Sequence, residues 1–403
     1  MTAIPIVRFL DRTTPPHLLT LVLLTGVAAL NMSIFLPALA DMASYFGTDY
    51  AIIQISLSGY LATTAVLQIF IGPISDRFGR RRVVLASLGI FIAASIGALF
   101  SQSVEAFLFF RMMQATVASA MVLSRAIVRD IVDQDKAASM IGYVTMGMAL
   151  VPLVGPMIGG ALAEVFDWRA TFVFLILVGI GVFVLCYLDQ GETVVGNGTS
   201  FAEQLRTYPD LFVSPRFWGY ALCAAFGSGA FFALLGGASF VAINIFGLSL
   251  FWSGFALGAP AIGYAIGNFF SGRYSSRFGV NKMAIIGTVI VIFGLGTSTL
   301  LTLAGADHAV LFFGFCTLLG LGNGITLPNV SAGLISVRPH LAGTASGLGG
   351  AIMIGGGAGL SQMAGGILTE DTGTLPLQLL MLIVSVLALV SVLFVIWREK
   401  RIG

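Results

Sequence analysis

The chain is built almost entirely from apolar runs about as long as a bilayer is thick. A membrane-crossing helix takes about 20 predominantly apolar residues. Such runs recur near residues 18–40, 51–73, 82–101, 104–127, 137–162, 168–188, 217–245, 251–272, 281–304, 309–334, 341–368 and 375–397. The pattern predicts an all-α polytopic membrane protein with twelve transmembrane helices. A soluble core is excluded by charge: only 9% of residues are Asp, Glu, Lys or Arg, against about 25% in soluble domains. The surrounding partner is therefore a lipid bilayer. A net charge of +2 gives no case for nucleic acid. Fifty glycines suit the close approach of helices in lipid. Cys186, Cys223 and Cys316 fall within apolar runs and read as small buried residues rather than a disulfide framework or a metal site. The opening MTAIPIVRFLDRTTPPH lacks a cleavage-site pattern, so the first run reads as a retained helix.

Lys and Arg then set the orientation. Arg8, Arg12, Arg77, Arg80, Arg81, Arg82, Arg129, Lys136, Arg206, Arg216, Arg273, Arg277, Lys282, Arg338, Arg398, Lys400 and Arg401 fall at the ends and on one alternate set of loops, seventeen of twenty basic residues. The other set carries Asp41, Asp49, Glu105, Glu164, Asp167, Asp307, Glu370 and Asp371. Both termini are thus expected in the cytoplasm. A polar stretch, 189–216, separates two six-helix bundles, 1–188 and 217–403. Within it, Ser200 and Glu203 form a capping-box pattern. Phe201, Leu205 and Tyr208 share one face, which predicts a short helix on the inner membrane surface.

A repeat supports the division. GPISDRFGRRR (72–82) returns as GRYSSRFGVNK (272–282), each between the second and third runs of its half. Gly72, Arg77, Phe78, Gly79 and Arg82 match Gly272, Arg277, Phe278, Gly279 and Lys282, while Asp76 becomes Ser276. Both copies are basic, so the halves are parallel repeats about an axis along the membrane normal.

These residues resemble the major facilitator superfamily. GPISDRFGRRR resembles its loop signature after helix 2, and FFRMMQATVASA (109–120) its helix 4 signature. GMALVPLVGPMIGGAL (147–162) is similar to the helix 5 signature of the drug/proton antiporter branch, and SRAIVRDIV with FLPAL is similar to Bcr/CflA-type multidrug transporters. The resemblance spans essentially the whole chain. It implies a monomeric secondary transporter in a bacterial inner membrane. Small amphipathic or drug-like compounds would leave by alternating access, with a proton gradient as driving force and no cofactor. A dedicated exporter of a sugar or amino acid is the alternative within transport. A polytopic enzyme would need a catalytic cluster, and His17, His308 and His340 lie far apart at helix ends.

Three groups of residues are candidates for the site. Gly72, Asp76, Arg77, Gly79, Arg80 and Asp130 are expected to form a cytoplasmic latch. In it a carboxylate faces arginines, Gly79 allows a sharp turn, and Asp130 pairs with Arg77 or Arg80. The latch reaches to the start of helix 11 and holds the outward-facing state. Gly147, Pro152, Gly155, Pro156, Gly159 and Gly160 in helix 5 predict a bend and close packing. Arg111, well inside helix 4, is expected to face the central cavity near Gln114, and the resemblance gives it a part in proton coupling. Many relatives carry an Asp in helix 1 where this chain has Ser33, and none of its acids falls near a helix centre. Asp41 remains the candidate proton carrier. Asn31, Phe35, Phe231, Phe232, Asn323 and Asn329 complete the expected cavity wall.

Overall fold

The computed structural model describes residues 7–132, 140–141, 143–144, 150–194, 208–338, 341–369 and 371–402. Among these residues it is all helical. In order come α1 (Leu18–Phe46), α2 (Tyr50–Phe78), α3 (Arg80–Leu99), α4 (Val104–Ile131), α5 (Val151–Val165), α6 (Arg169–Asp189), α7 (Pro215–Ile245), α8 (Leu250–Phe278), α9 (Val280–Leu303), α10 (Ala309–Ser336), α11 (Ala342–Ile367) and α12 (Leu375–Ile402). Ten of these are long and apolar enough to cross a membrane. Large apolar side chains such as Phe293 and Leu300 stand on the outer surface, where lipid replaces water as their solvent.

The charged turn is tighter than hydropathy suggests. Apolar runs ending at 73 and resuming at 82 predict a loop, but α2 continues through Asp76 and Arg77 to Phe78, and α3 begins at Arg80. Hydropathy stops at the first charge, whereas the helical hydrogen bonds do not. Gly79 alone reverses the chain, with φ 94° and ψ 141°, a region open to glycine and closed to side chains. Gly279 repeats the device with φ 83°.

The fifth segment also departs from expectation. Pro152, expected well within the run 137–162, occupies the first turn of α5, just after a turn at Leu150, where its missing N–H leaves no bond unmade. Pro156 does lie inside the helix. Gly147 lies outside the described residues, as does the expected surface helix apart from Tyr208.

The start of α1, the end of α12, the two glycine reversals and the stretch after α6 share one end of the bundle, here the terminal end. The α1–α2, α5–α6, α7–α8 and α11–α12 connections mark the far end. Between the first six and last six helices, α5 packs on α8 and α2 on α11.

Candidate functional site

The far end is sealed by main chain meeting main chain. A Cβ on Gly160 would run into the Leu250 carbonyl, and one on Gly254 into the Pro156 carbonyl. α5 and α8 touch this closely because both positions are glycine. Gly159 faces the Ile34 carbonyl of α1 in the same way, and Gly155 lies against the Ser33 hydroxyl. Polar groups fasten the rest. Gln54 Nε2 donates to Ser361 Oγ at 2.9 Å, Ser58 Oγ to Gln362 Oε1 at 2.6 Å, and Gln362 Nε2 to Ala51 O at 2.8 Å. Tyr50 donates to Gly236 O at 3.1 Å and Ser239 to Pro37 O at 3.2 Å. The Phe251 N–H donates to Glu164 Oε2 at 2.7 Å, which sets a carboxylate on the positive start of α8.

Arg111 sits deep in the first six helices, with 0% exposure. A cation there is costly, so every contact matters. Nη1 donates to Asn31 Oδ1 at 2.9 Å and to Gln114 Oε1; Nε reaches Ser56 O, and Nη2 reaches Asn31 O, both at 3.4 Å. The guanidinium lies 4.1 Å from the Phe35 ring centroid and 5.2 Å from that of Tyr60, so ring faces add attraction. Gln114 is held in turn by Ser95 at 2.6 Å. These hydrogen-bond acceptors of Arg111 are all neutral.

Most of the residues expected on the cavity wall lie within the helix packing of this structure. Arg111, Gln114, Asn31 and Phe35 are buried together, because a desolvated cation is tolerable only when enclosed by favourable partners; Ser33 is buried as well, its hydroxyl donating to Ala29 O at 3.1 Å. Asn323 Nδ2 donates to Gly227 O at 2.9 Å and Asn329 Nδ2 to Ser271 Oγ at 2.9 Å, so both tie helices together. Phe232 packs on Gly357 of α11, while Phe231 is half-buried. Asp41 is exposed near the far end.

At the terminal end Arg80 organises the charged turn. Nη1 meets Asp76 Oδ1 at 2.5 Å and also Ser75, and Nε meets Asp130 Oδ2 at 3.1 Å. Of the two arginines expected on Asp130, it is Arg80 that binds it; Arg77 is exposed beside the Phe78 ring. Gly72 has open space around it, and its carbonyl accepts from Ser75 at 2.7 Å.

Sequence reasoning missed the partners just after α6. The N–H groups of Arg80 and Arg81 donate to Glu192 at 2.8 and 3.3 Å, so this carboxylate caps α3. A side chain at Gly79 would collide with it. Thr193 donates to Asp130 at 3.2 Å. Asp189, with 0% exposure, accepts from Leu10 N at 2.7 Å, His17 N at 2.8 Å and Thr20 Oγ1 at 2.6 Å. The second copy of the turn is wired otherwise: Glu399 of α12 accepts from Asn281 Nδ2 and Arg216 Nη2, both at 2.6 Å. Only the QGET stretch after a long apolar run (190–193) hinted at any of this.

Comparison with known proteins agrees with this architecture. The family model described as Major Facilitator Superfamily matches residues 21–361. The chain is 30% identical to a chloramphenicol resistance protein of Pseudomonas aeruginosa, over 88% of this chain and 82% of that one. It is also 30% identical to multidrug resistance protein D of Escherichia coli K12, over 89% of each. Among solved structures, a bacterial homologue of the human lysosomal transporter Spinster, in an inward-facing and occupied conformation, superposes with a TM-score of 0.71. It does so at 19% identity, over 95% of this chain and 96% of that one. A helical membrane bundle with a glycine-sealed end, a charged glycine turn and a family match across most of its length can be assigned: the chain belongs to the major facilitator superfamily.

Proposed function

We propose that the chain is a secondary active transporter that exports small amphipathic or drug-like compounds by alternating access, in exchange for protons. One observation carries the reading. The glycine contacts and hydrogen bonds between the first six and last six helices gather at the far end. The space between the two sets therefore opens at the terminal end, as in one of the two states a rocking transporter visits. The names of the two relatives, for chloramphenicol and multidrug resistance, favour drugs as cargo.

In this reading residues 1–188 and 217–403 are the rocking bundles, and 189–216 joins them. The protein works as a monomer in a bacterial inner membrane, with both termini and the basic turns in the cytoplasm. The structure then corresponds to the inward-open state. Return to the outward-open state separates Gly160 from Leu250 and Gln54 from Ser361. It also brings the terminal ends together around Asp76, Arg80 and Asp130.

The test is efflux of chloramphenicol and ethidium from cells expressing the chain, with and without a protonophore. Efflux that stops when the proton gradient collapses is expected. No efflux of several drugs overturns drug export, and efflux indifferent to the protonophore removes antiport.

A further inference from the structure

Arg125 is a second arginine inside a membrane span, and its situation is the reverse of Arg111's. It lies six residues before the end of α4 at Ile131, about 9 Å along the axis. Its neighbours Leu123, Ser124, Ala126 and Ile127 are buried, while Arg125 is exposed. The buried sides of this stretch pack on α1, α2 and α3. The remaining side faces the last six helices, where the guanidinium lies within electrostatic reach of Tyr264 on α8.

Among the described residues no hydrogen bond or ion pair engages Arg125. Among the described residues, the acids of the first six helices nearest that end are engaged elsewhere. Asp76 and Asp130 share Arg80, Glu192 caps α3, and Asp189 binds main chain and Thr20. Arg129, one turn on, is exposed and adds a second positive charge towards the mouth. Nor does topology require Arg125, since α10, the matching helix of the last six, has no charged residue from Ala309 to Ser336. A cation inside an apolar span is kept where it meets a partner, a cavity or a ligand.

We infer that Arg125 is the anion-binding point of the transport path, taking the carboxylate of an amphipathic substrate that enters from the terminal end, with the Tyr264 hydroxyl as a second donor. The inference rests on the export reading above and narrows it. Anionic amphiphiles are preferred at this point over lipophilic cations such as ethidium, which are carried without its help. A guanidinium suits the task because its planar fork matches a carboxylate.

Two dyes with one ring system and opposite charge test this: fluorescein, an anionic carboxylate, and rhodamine 6G, a cationic ester. Binding to the purified full chain in a non-ionic detergent is read by fluorescence anisotropy. Fluorescein is expected to bind at least about tenfold more tightly than rhodamine 6G. Arg125→Gln should erase that preference while leaving rhodamine 6G binding intact, which also reports a folded variant. Arg125→Lys should keep most of the preference, and Tyr264→Phe should weaken fluorescein about threefold, the loss of one modest hydrogen bond. Equal or tighter binding of rhodamine 6G to the unaltered chain overturns the proposal, as does equal weakening of both dyes by Arg125→Gln. If cells expel no drug yet the fluorescein preference holds, the drug-export reading fails and the anion site stands. If drugs are expelled and the preference is missing, the site fails alone.

Discussion

Two fully buried ionisable side chains, Arg111 and Asp189, are accommodated without an ion-pair partner among the described residues. Arg111 uses amide side chains, main-chain carbonyls and two ring faces; Asp189 uses two main-chain N–H groups and a hydroxyl. Each arrangement is specific to the shape of its group, and conservative changes should expose that. Arg111→Lys keeps the charge but cannot span Asn31, Gln114 and Ser56 while lying on Phe35. It is expected to cost about 1–3 kcal/mol, read as a lower thermal midpoint of the purified protein. Asp189→Asn keeps the shape but turns one oxygen into a donor facing a donor. Faster trypsin cleavage at Arg8 and Arg12 is expected, because the segment before α1 loses its anchor. Asp76→Asn removes one of the two acids on Arg80 and leaves the arginines that set orientation. Topology should be unchanged and export reduced; full export in that variant would dismiss the turn as a latch.

At the level of elements, glycine decides where helices meet. Gly160 and Gly254 face carbonyls across the α5–α8 seam, and an added methyl group needs room that backbone cannot give. Overpacking of this kind typically costs about 1–3 kcal/mol. Gly160→Ala is therefore expected to loosen the far end, read as greater labelling of a cysteine placed near Leu250 by a membrane-impermeant reagent from outside the cell. The apolar runs, the repeat and the glycine content of helix 5 were legible because each is a local pattern. The one-residue turn at Gly79 was not, since hydropathy cannot see a helix continue through Asp76 and Arg77. Glu192 and Asp189 were illegible for another reason: each meets groups more than a hundred residues away, and no spacing encodes that. The same limit applies to Arg111, whose depth is plain in the sequence but whose enclosure depends on how α1, α2 and α3 pack around it.

For the whole molecule, the feature that matters is the uneven seam. Among the described residues its hydrogen bonds occupy one end, and almost all of them are neutral, drawn from Gln, Ser and Tyr side chains. Neutral bonds of about 0.5–1.5 kcal/mol each can be broken and remade in a working cycle more readily than buried ion pairs. Ser58 and Gln362 lie on opposite sides at 2.6 Å. Cysteines at these two positions, once cross-linked, are expected to hold the far end shut and abolish export, with activity restored by a reductant. Export that survives the cross-link would contradict a rocking mechanism.

The clasp at Asp189 also bears on how the protein is assembled. Its carboxylate grips groups 169 to 179 residues earlier in the chain. During synthesis α1 is therefore inserted long before the residue that secures its start has been made. The clasp can form only once the first six helices have been made, and it lies at the end of the apolar run that closes them. A fragment stopping at residue 188 lacks it, whereas one stopping at residue 194 contains both Asp189 and Glu192. The longer fragment is expected to accumulate in membranes and the shorter to be cleared by proteolysis, although the two differ by a few polar residues outside the lipid.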